Sequence, residues 1–113
     1  MNNVIDKYIS ENTLLEIEVT YDIGTYDRER GYYIYFTKYS VLKYSNGAIS
    51  KSITPMDREN FVIKLEPAKR FSQKKFYKYC EILQDNKDML LRIYQNYLVN
   101  KEVDISFIKE LFK

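Results

Sequence analysis

The dipeptide Asn46-Gly47 constrains the fold of this chain most, because it separates two runs rich in β-forming side chains. Asn-Gly tolerates the two positive φ angles of a type I′ turn, so it is the strongest short-range hairpin signal. It predicts a hairpin with strands over Tyr32–Ser45 and Ala48–Ile53. The turn fixes the register, and the residues that it places opposite each other are Tyr44 and Ile49, Leu42 and Lys51, and Ser40 and Ile53.

Side chains on the first of these strands alternate between two faces. The even-numbered face is mostly apolar and holds Ile34, Phe36, Leu42 and Tyr44, with Ile49 and Ile53 across the hairpin. The odd-numbered face holds Tyr33, Tyr35, Thr37, Tyr39, Val41 and Lys43. A continuous strand of this length is unusual, so we expect a bend near Lys38–Ser40.

The segments around the hairpin carry shorter signals. Asn2–Glu11 has the spacing of a short helix. A half-buried strand follows, in which Leu15, Ile17, Val19 and Tyr21 alternate with Glu16, Glu18 and Thr20. After the hairpin, Thr54-Pro55 is typical of a helix start and predicts a helix over Met56–Glu66. Phe61–Leu65 fits a strand equally well, and both interpretations stay open; Pro67 ends the segment in either case.

The last third of the chain has helical spacing throughout. Ser72 is a good N-cap, and Phe71 and Phe76 have the spacing of a hydrophobic staple. The apolar face continues through Cys80, Leu83, Leu90, Ile93, Tyr94 and Tyr97. The polar run 85–88 predicts a break into two helices. Asp104 caps a final helix over Ile105–Phe112, with Val103 and Ile108 as its staple.

These elements predict an α+β fold in one domain over residues 1–113. A small antiparallel sheet of three to four strands, including the Asn46-Gly47 hairpin, occupies 13–66. Two to three α-helices over 72–113 pack against it.

Composition excludes most acid–base and metal chemistry, because the chain has no histidine and a single cysteine, Cys80. Cys80 lies on the apolar helix face, where a small hydrophobe is expected. Glu16 and Glu18 share a strand face and could hold Mg²⁺, but alternating surface glutamates usually serve solubility. No Glu-x-Lys nuclease motif occurs. We therefore expect no enzyme activity, catalytic residue, cofactor or metal.

Charge is distributed unevenly although the net charge is only +2. Residues 1–29 sum to −5, residues 30–80 to +8 and residues 81–113 to −1. Cations surround the predicted helix start, where acids would be favourable, and they are Lys69, Arg70, Lys74, Lys75 and Lys78. This pattern indicates a phosphate or carboxylate site, with plain solvation of an exposed first turn as the alternative.

The odd-numbered strand face is the second candidate site. Its spacing of Tyr33, Tyr35, Tyr39 and Lys43 resembles the aromatic surfaces on which single-stranded bases stack. In the alternative interpretation helices cover this face and the tyrosines belong to the core. If the face is open, Glu16 and Glu18 lie beside the rings and would repel a phosphate backbone. Such a face suits a protein partner as well, since tyrosine is frequent in interface hot spots.

Together these features predict a small non-enzymatic accessory protein that binds nucleic acid or a nucleoprotein complex. The alternative is a protein-docking inhibitor of a host defence nuclease (anti-CRISPR-like) or another adaptor for a host or phage protein. Residues with AT-rich codons (Phe, Tyr, Met, Ile, Asn and Lys) total 54, against 12 for Gly, Ala, Arg and Pro, as in many phage and mobile-element proteins. Lacking long apolar stretches, the chain is expected in the cytoplasm without membrane contact, as a monomer or small homo-oligomer.

Overall fold

The fold follows the predicted division into strands first and helices second. A computed structural model describes residues 14–39, 42–45, 48–51 and 58–113, and side chains over 15–39 and 61–113. The strands are β1 (Leu14–Asp22), β2 (Gly31–Tyr39), β3 (Leu42–Ser45), β4 (Ala48–Lys51) and β5 (Arg58–Pro67). The helices are α1 (Gln73–Asp85), α2 (Lys87–Asn100) and α3 (Ile105–Leu111). The α+β prediction is confirmed.

The main sheet has the order β1-β2-β5, with both neighbouring pairs antiparallel. The alternation in β1 predicts its orientation correctly, since Leu15, Ile17 and Val19 are buried while Glu18 is exposed. β2 is central, so its inward side chains are covered by strands on both sides and by the helices. The outer face of β2 is partly buried as well, since Tyr33 is 3% exposed and Thr37 is 9% exposed.

The ambiguous segment Phe61–Leu65 is a strand, and the helix alternative over Met56–Glu66 is wrong for its described part. Antiparallel pairing with β2 decides between them, because it places Phe61 opposite Phe36 and Ile63 opposite Ile34 on the buried face. A register irregularity interrupts the ladder between Tyr32 and Tyr33. Thr54-Pro55 and the predicted helix Asn2–Glu11 lie outside the described residues.

The predicted hairpin register is confirmed in β3 and β4. Leu42 pairs with Lys51 and Tyr44 with Ile49, as the Asn-Gly turn requires. The two strands form a separate two-stranded sheet; of the strand predicted over Tyr32–Ser45, the structure describes β2, which ends at Tyr39, and β3, which begins at Leu42. The expected bend near Lys38–Ser40 lies partly outside the described residues. The turn residues and the Ser40–Ile53 pair lie outside the described part of the chain.

The helix boundaries also follow local signals. The Ser72 hydroxyl accepts a hydrogen bond from the Lys75 N–H, and the rings of Phe71 and Phe76 lie 5.6 Å apart, as expected of a cap with its staple. Asn86 separates α1 from α2 within the predicted polar break. The Asp104 carboxylate accepts from the Phe107 N–H and caps α3.

The core lies between the inner face of the main sheet and the three helices. Tyr32, Ile34 and Phe36 are fully buried on β2. Their partners from the helices are Tyr79, Leu83, Leu90, Leu91, Tyr94, Ile108 and Phe112. Of the 12 tyrosines, Tyr32, Tyr79 and Tyr94 thus serve in this core, where large rings bury much apolar area.

Candidate functional site

The outer face of the main sheet carries three of the four tyrosines of β2, and we call these three, Tyr33, Tyr35 and Tyr39, the tyrosine face. The helices pack on the opposite face, so they do not cover it. Cross-strand pairing sets Glu18 beside Tyr35 and Glu16 beside Thr37, which is the carboxylate placement expected from the sequence.

Arg28, from the loop between β1 and β2, lies over the tyrosine face. Its guanidinium carbon is 4.9 Å from the centre of the Tyr35 ring and 5.8 Å from that of Tyr33. Arg28 also approaches the Asp22 carboxylate at 3.8 Å. Since Tyr33 is only 3% exposed and its hydroxyl donates to the Glu29 carbonyl, neither ring offers an open surface for a stacked base.

Residues beside the tyrosine face also make contacts within the protein. The Lys64 ammonium donates to the Glu29 carboxylate at 2.7 Å. This hydrogen bond lowers the pKa of the Glu29 carboxyl and raises the pKa of Lys64. Tyr39 is half-buried, and the side chain of Lys43 lies outside the described residues. Binding by this face stays a prediction, with Arg28 as an obstacle to stacking.

The five cations predicted around α1 divide into two groups. Lys75 turns toward the sheet, where its ammonium lies 2.6 Å from the Glu66 carboxylate at the end of β5. The hydrogen bond to Glu66 raises the pKa of Lys75. Lys75 is therefore neutralised within the fold and tethers the helix to β5.

The other four cations are exposed and form no ion pair with any described residue: Lys69, Arg70, Lys74 and Lys78. Lys74 and Lys78 are one helical turn apart and border an open depression of about 770 Å³ with Tyr77 between them; Ser72 and the paired Lys75 line it as well. Glu81 ends this row one turn further along α1. Along this row, two lysines without an ion pair to any described residue are therefore followed by one glutamate.

Two exposed aromatic rings lie among these cations. Phe71 is 51% exposed and Tyr77 is 60% exposed. Sequence reasoning used Phe71 only as a staple and missed Tyr77, although residues 74, 77 and 78 share the helix face opposite the buried Tyr79 and Leu83. We call the four unpaired cations together with Phe71 and Tyr77 the basic surface.

Hydrogen bonds to the sheet hold the basic surface in place. The hydroxyl of the buried Tyr32 accepts from the Ser72 N–H at 2.7 Å and donates to the Ser72 carbonyl at 3.2 Å. The Arg30 guanidinium donates to the Lys69 carbonyl at 3.3 Å, and the Ala68 N–H donates to the Arg30 carbonyl at 3.0 Å. The backbone of 68–72 is therefore fixed while the neighbouring cationic side chains point to solvent.

The described part of the chain holds few groups suited to metal binding or nucleophilic chemistry. No cluster of three or more His, Cys, Asp or Glu side chains there could hold a metal ion. Cys80 is half-buried, and burial raises the pKa of its thiol. Among the described helices, none is long and apolar enough to cross a membrane.

Comparison with known proteins gives no relative. No protein-family model, no curated protein and no solved structure matches the chain. The function therefore has to be argued from the basic surface itself.

Proposed function

We propose that this chain is a small accessory protein that binds nucleic acid, alone or within a nucleoprotein complex, through the basic surface. The observation that carries the proposal is the presence of four exposed cations without ion-pair partners among the described residues, next to two exposed aromatic rings. The +8 balance of residues 30–80 adds to the attraction for a polyanion. Non-enzymatic action and a phage or mobile-element origin belong to the same proposal.

The physical reason is the release of counterions. Each cation that neutralises a phosphate frees a condensed counterion, so the logarithm of the affinity falls linearly with the logarithm of the salt concentration. Four phosphate contacts correspond to a slope of about −3 to −4. Lys75 makes no such contribution in this proposal because Glu66 already neutralises it.

The test is a fluorescence anisotropy titration with labelled single- and double-stranded oligonucleotides at low salt. The variant Lys74→Glu/Lys78→Glu is expected to lose most of the affinity. The control Arg92→Glu/Lys109→Glu makes the same charge change at two exposed cations outside the basic surface and should bind nearly as well as wild type. Circular dichroism confirms that both variants are folded.

The salt slope gives an independent readout. Neutralising Lys74 and Lys78 with alanine should make the slope about two units shallower, since two phosphate contacts are lost. Absence of binding to either oligonucleotide at low salt would overturn the proposal, as would an equal loss in the control.

A second candidate function is docking to a protein partner such as a host defence nuclease, and a different observation supports it. The tight turn between Thr25 and Arg28, closed by two backbone hydrogen bonds, presents Tyr26 fully exposed, and the nearby Ile23 is 71% exposed. Exposed tyrosines are enriched in interface hot spots, and an apolar neighbour adds surface that a partner can bury. A pull-down from host lysate separates the two candidates: a stoichiometric partner retained after nuclease treatment and lost with Tyr26→Ser supports docking.

A further inference from the structure

We infer that the ligand of the basic surface is a single-stranded nucleic acid whose bases stack on Tyr77 and Phe71; this rests on the proposed function and deepens it. Cations alone attract any polyanion, whereas exposed rings need a ligand with accessible aromatic faces. In a duplex those faces are covered by neighbouring base pairs. Two rings that are more than half exposed among unpaired cations therefore favour a strand with unstacked bases.

The two rings belong to a continuous aromatic row. Phe71 lies 5.6 Å from Phe76, and Phe76 lies 6.3 Å from Tyr77, measured between ring centres. Phe71 also meets the Tyr21 ring edge-on at 5.5 Å. The Gln73 amide donates to the Tyr77 hydroxyl at 3.0 Å. Because these contacts already restrict the rings, stacking a base on them costs little additional side-chain entropy.

The cations stand where a strand's phosphates would pass. Arg70 immediately precedes Phe71 in the chain, and Lys74 and Lys78 border Tyr77 on the same helix face. The centres of the Phe71 and Tyr77 rings are separated by no more than the sum of the two distances along the row, which spans about three to four nucleotide steps. Cations that would contact the phosphates of the strand therefore alternate along one surface with rings that would stack on its bases.

The experiment compares a labelled single strand with a duplex of the same length in anisotropy titrations at low salt. Tyr77→Ala is expected to weaken single-strand binding about 5- to 150-fold, the range measured for one lost base–aromatic stack. Tyr77→Phe keeps the ring and should restore wild-type affinity. The control Tyr26→Ala removes a fully exposed tyrosine outside the basic surface by the same substitution and should leave the affinity unchanged.

The outcomes separate this inference from the proposed function. Single-strand binding that survives Tyr77→Ala, or tighter binding of the duplex, overturns the inference while leaving nucleic-acid binding in place. Absence of binding to both forms overturns the proposed function as well. Tyr77 is exposed, and its one side-chain hydrogen bond among the described residues is to Gln73, so its alanine variant is expected to fold. The thermal midpoint of this variant is checked against that of Tyr77→Phe.

Discussion

The hydroxyl of Tyr32 joins the main sheet to the start of α1, and its removal is the sharpest test of how the basic surface is held. The Tyr32 ring is fully buried, and its oxygen contacts both the N–H and the carbonyl of Ser72. Tyr32→Phe deletes this oxygen and leaves the ring in place. We expect a loss of stability without a change of fold.

The size of the effect follows from what Ser72 retains. Its carbonyl keeps the Phe76 N–H as a donor at 2.9 Å, so only the Ser72 N–H loses its partner. An unsatisfied donor costs about 1–3 kcal/mol, and the low end applies because Ser72 is half-buried and water can reach it. For a domain of this size a cost of about 1–1.5 kcal/mol lowers the unfolding midpoint by about 4–6 °C.

Thermal unfolding followed by far-UV circular dichroism measures the shift. Tyr77→Phe is the matched control, since it removes an exposed hydroxyl by the same chemical change and should leave the midpoint unaltered. Tyr32→Phe should also weaken oligonucleotide binding modestly, because the start of α1 gains freedom. An unfolding midpoint equal to that of wild type would refute the role assigned to this oxygen.

Three further predictions concern the same end of the sheet. Gly31→Ala should destabilise by about 1–3 kcal/mol in urea unfolding, because a Cβ there would lie 2.3 Å from the Glu66 carbonyl oxygen. Lys75→Met should lower the thermal midpoint more than Lys74→Met but weaken oligonucleotide binding less, since only Lys75 pairs with Glu66. Burial, together with the nearby Glu66 carboxylate, raises the pKa of Tyr79 from 10 to about 12. The neutral phenol therefore contributes fully to stability below pH 10, and this contribution is lost as the pH rises toward 12. Unfolding measured across this pH range should show a smaller decline in stability for Tyr79→Phe than for wild type.

The sequence predicted correctly the features that depend on contacts between residues close together in the chain. The Asn-Gly dipeptide predicted the β3–β4 register correctly, because a two-residue hairpin loop determines the pairing of all residues that flank it. Ser72 and Asp104 cap their helices through contacts only three residues away. These features depend on neighbours in the chain and can be read without the rest of the fold.

Tertiary pairing decided the features that the sequence left open. Phe61–Leu65 has apolar residues that suit either a helix or a strand, and only the neighbouring β2 selects the strand. The difference between Lys75 and Lys74 depends on Glu66, which lies nine residues away in another element. Likewise, no pattern within β2 indicates that Arg28 from a preceding loop lies over Tyr33 and Tyr35.

The start of α1 shows why, of the two sites predicted from the sequence, we favour the helix over the tyrosine face. The first turn of α1 has no acidic residue, although acids there would stabilise the helix. One of its two lysines is compensated internally by Glu66, whereas Lys74 has no partner among the described residues and faces solvent beside Tyr77. On the tyrosine face, by contrast, Glu29 pairs with Lys64, and Arg28 lies beside Asp22 and over the rings. An external anion would therefore find unsatisfied cations at the helix and largely compensated ones on the sheet, which is why the proposed ligand is assigned to α1.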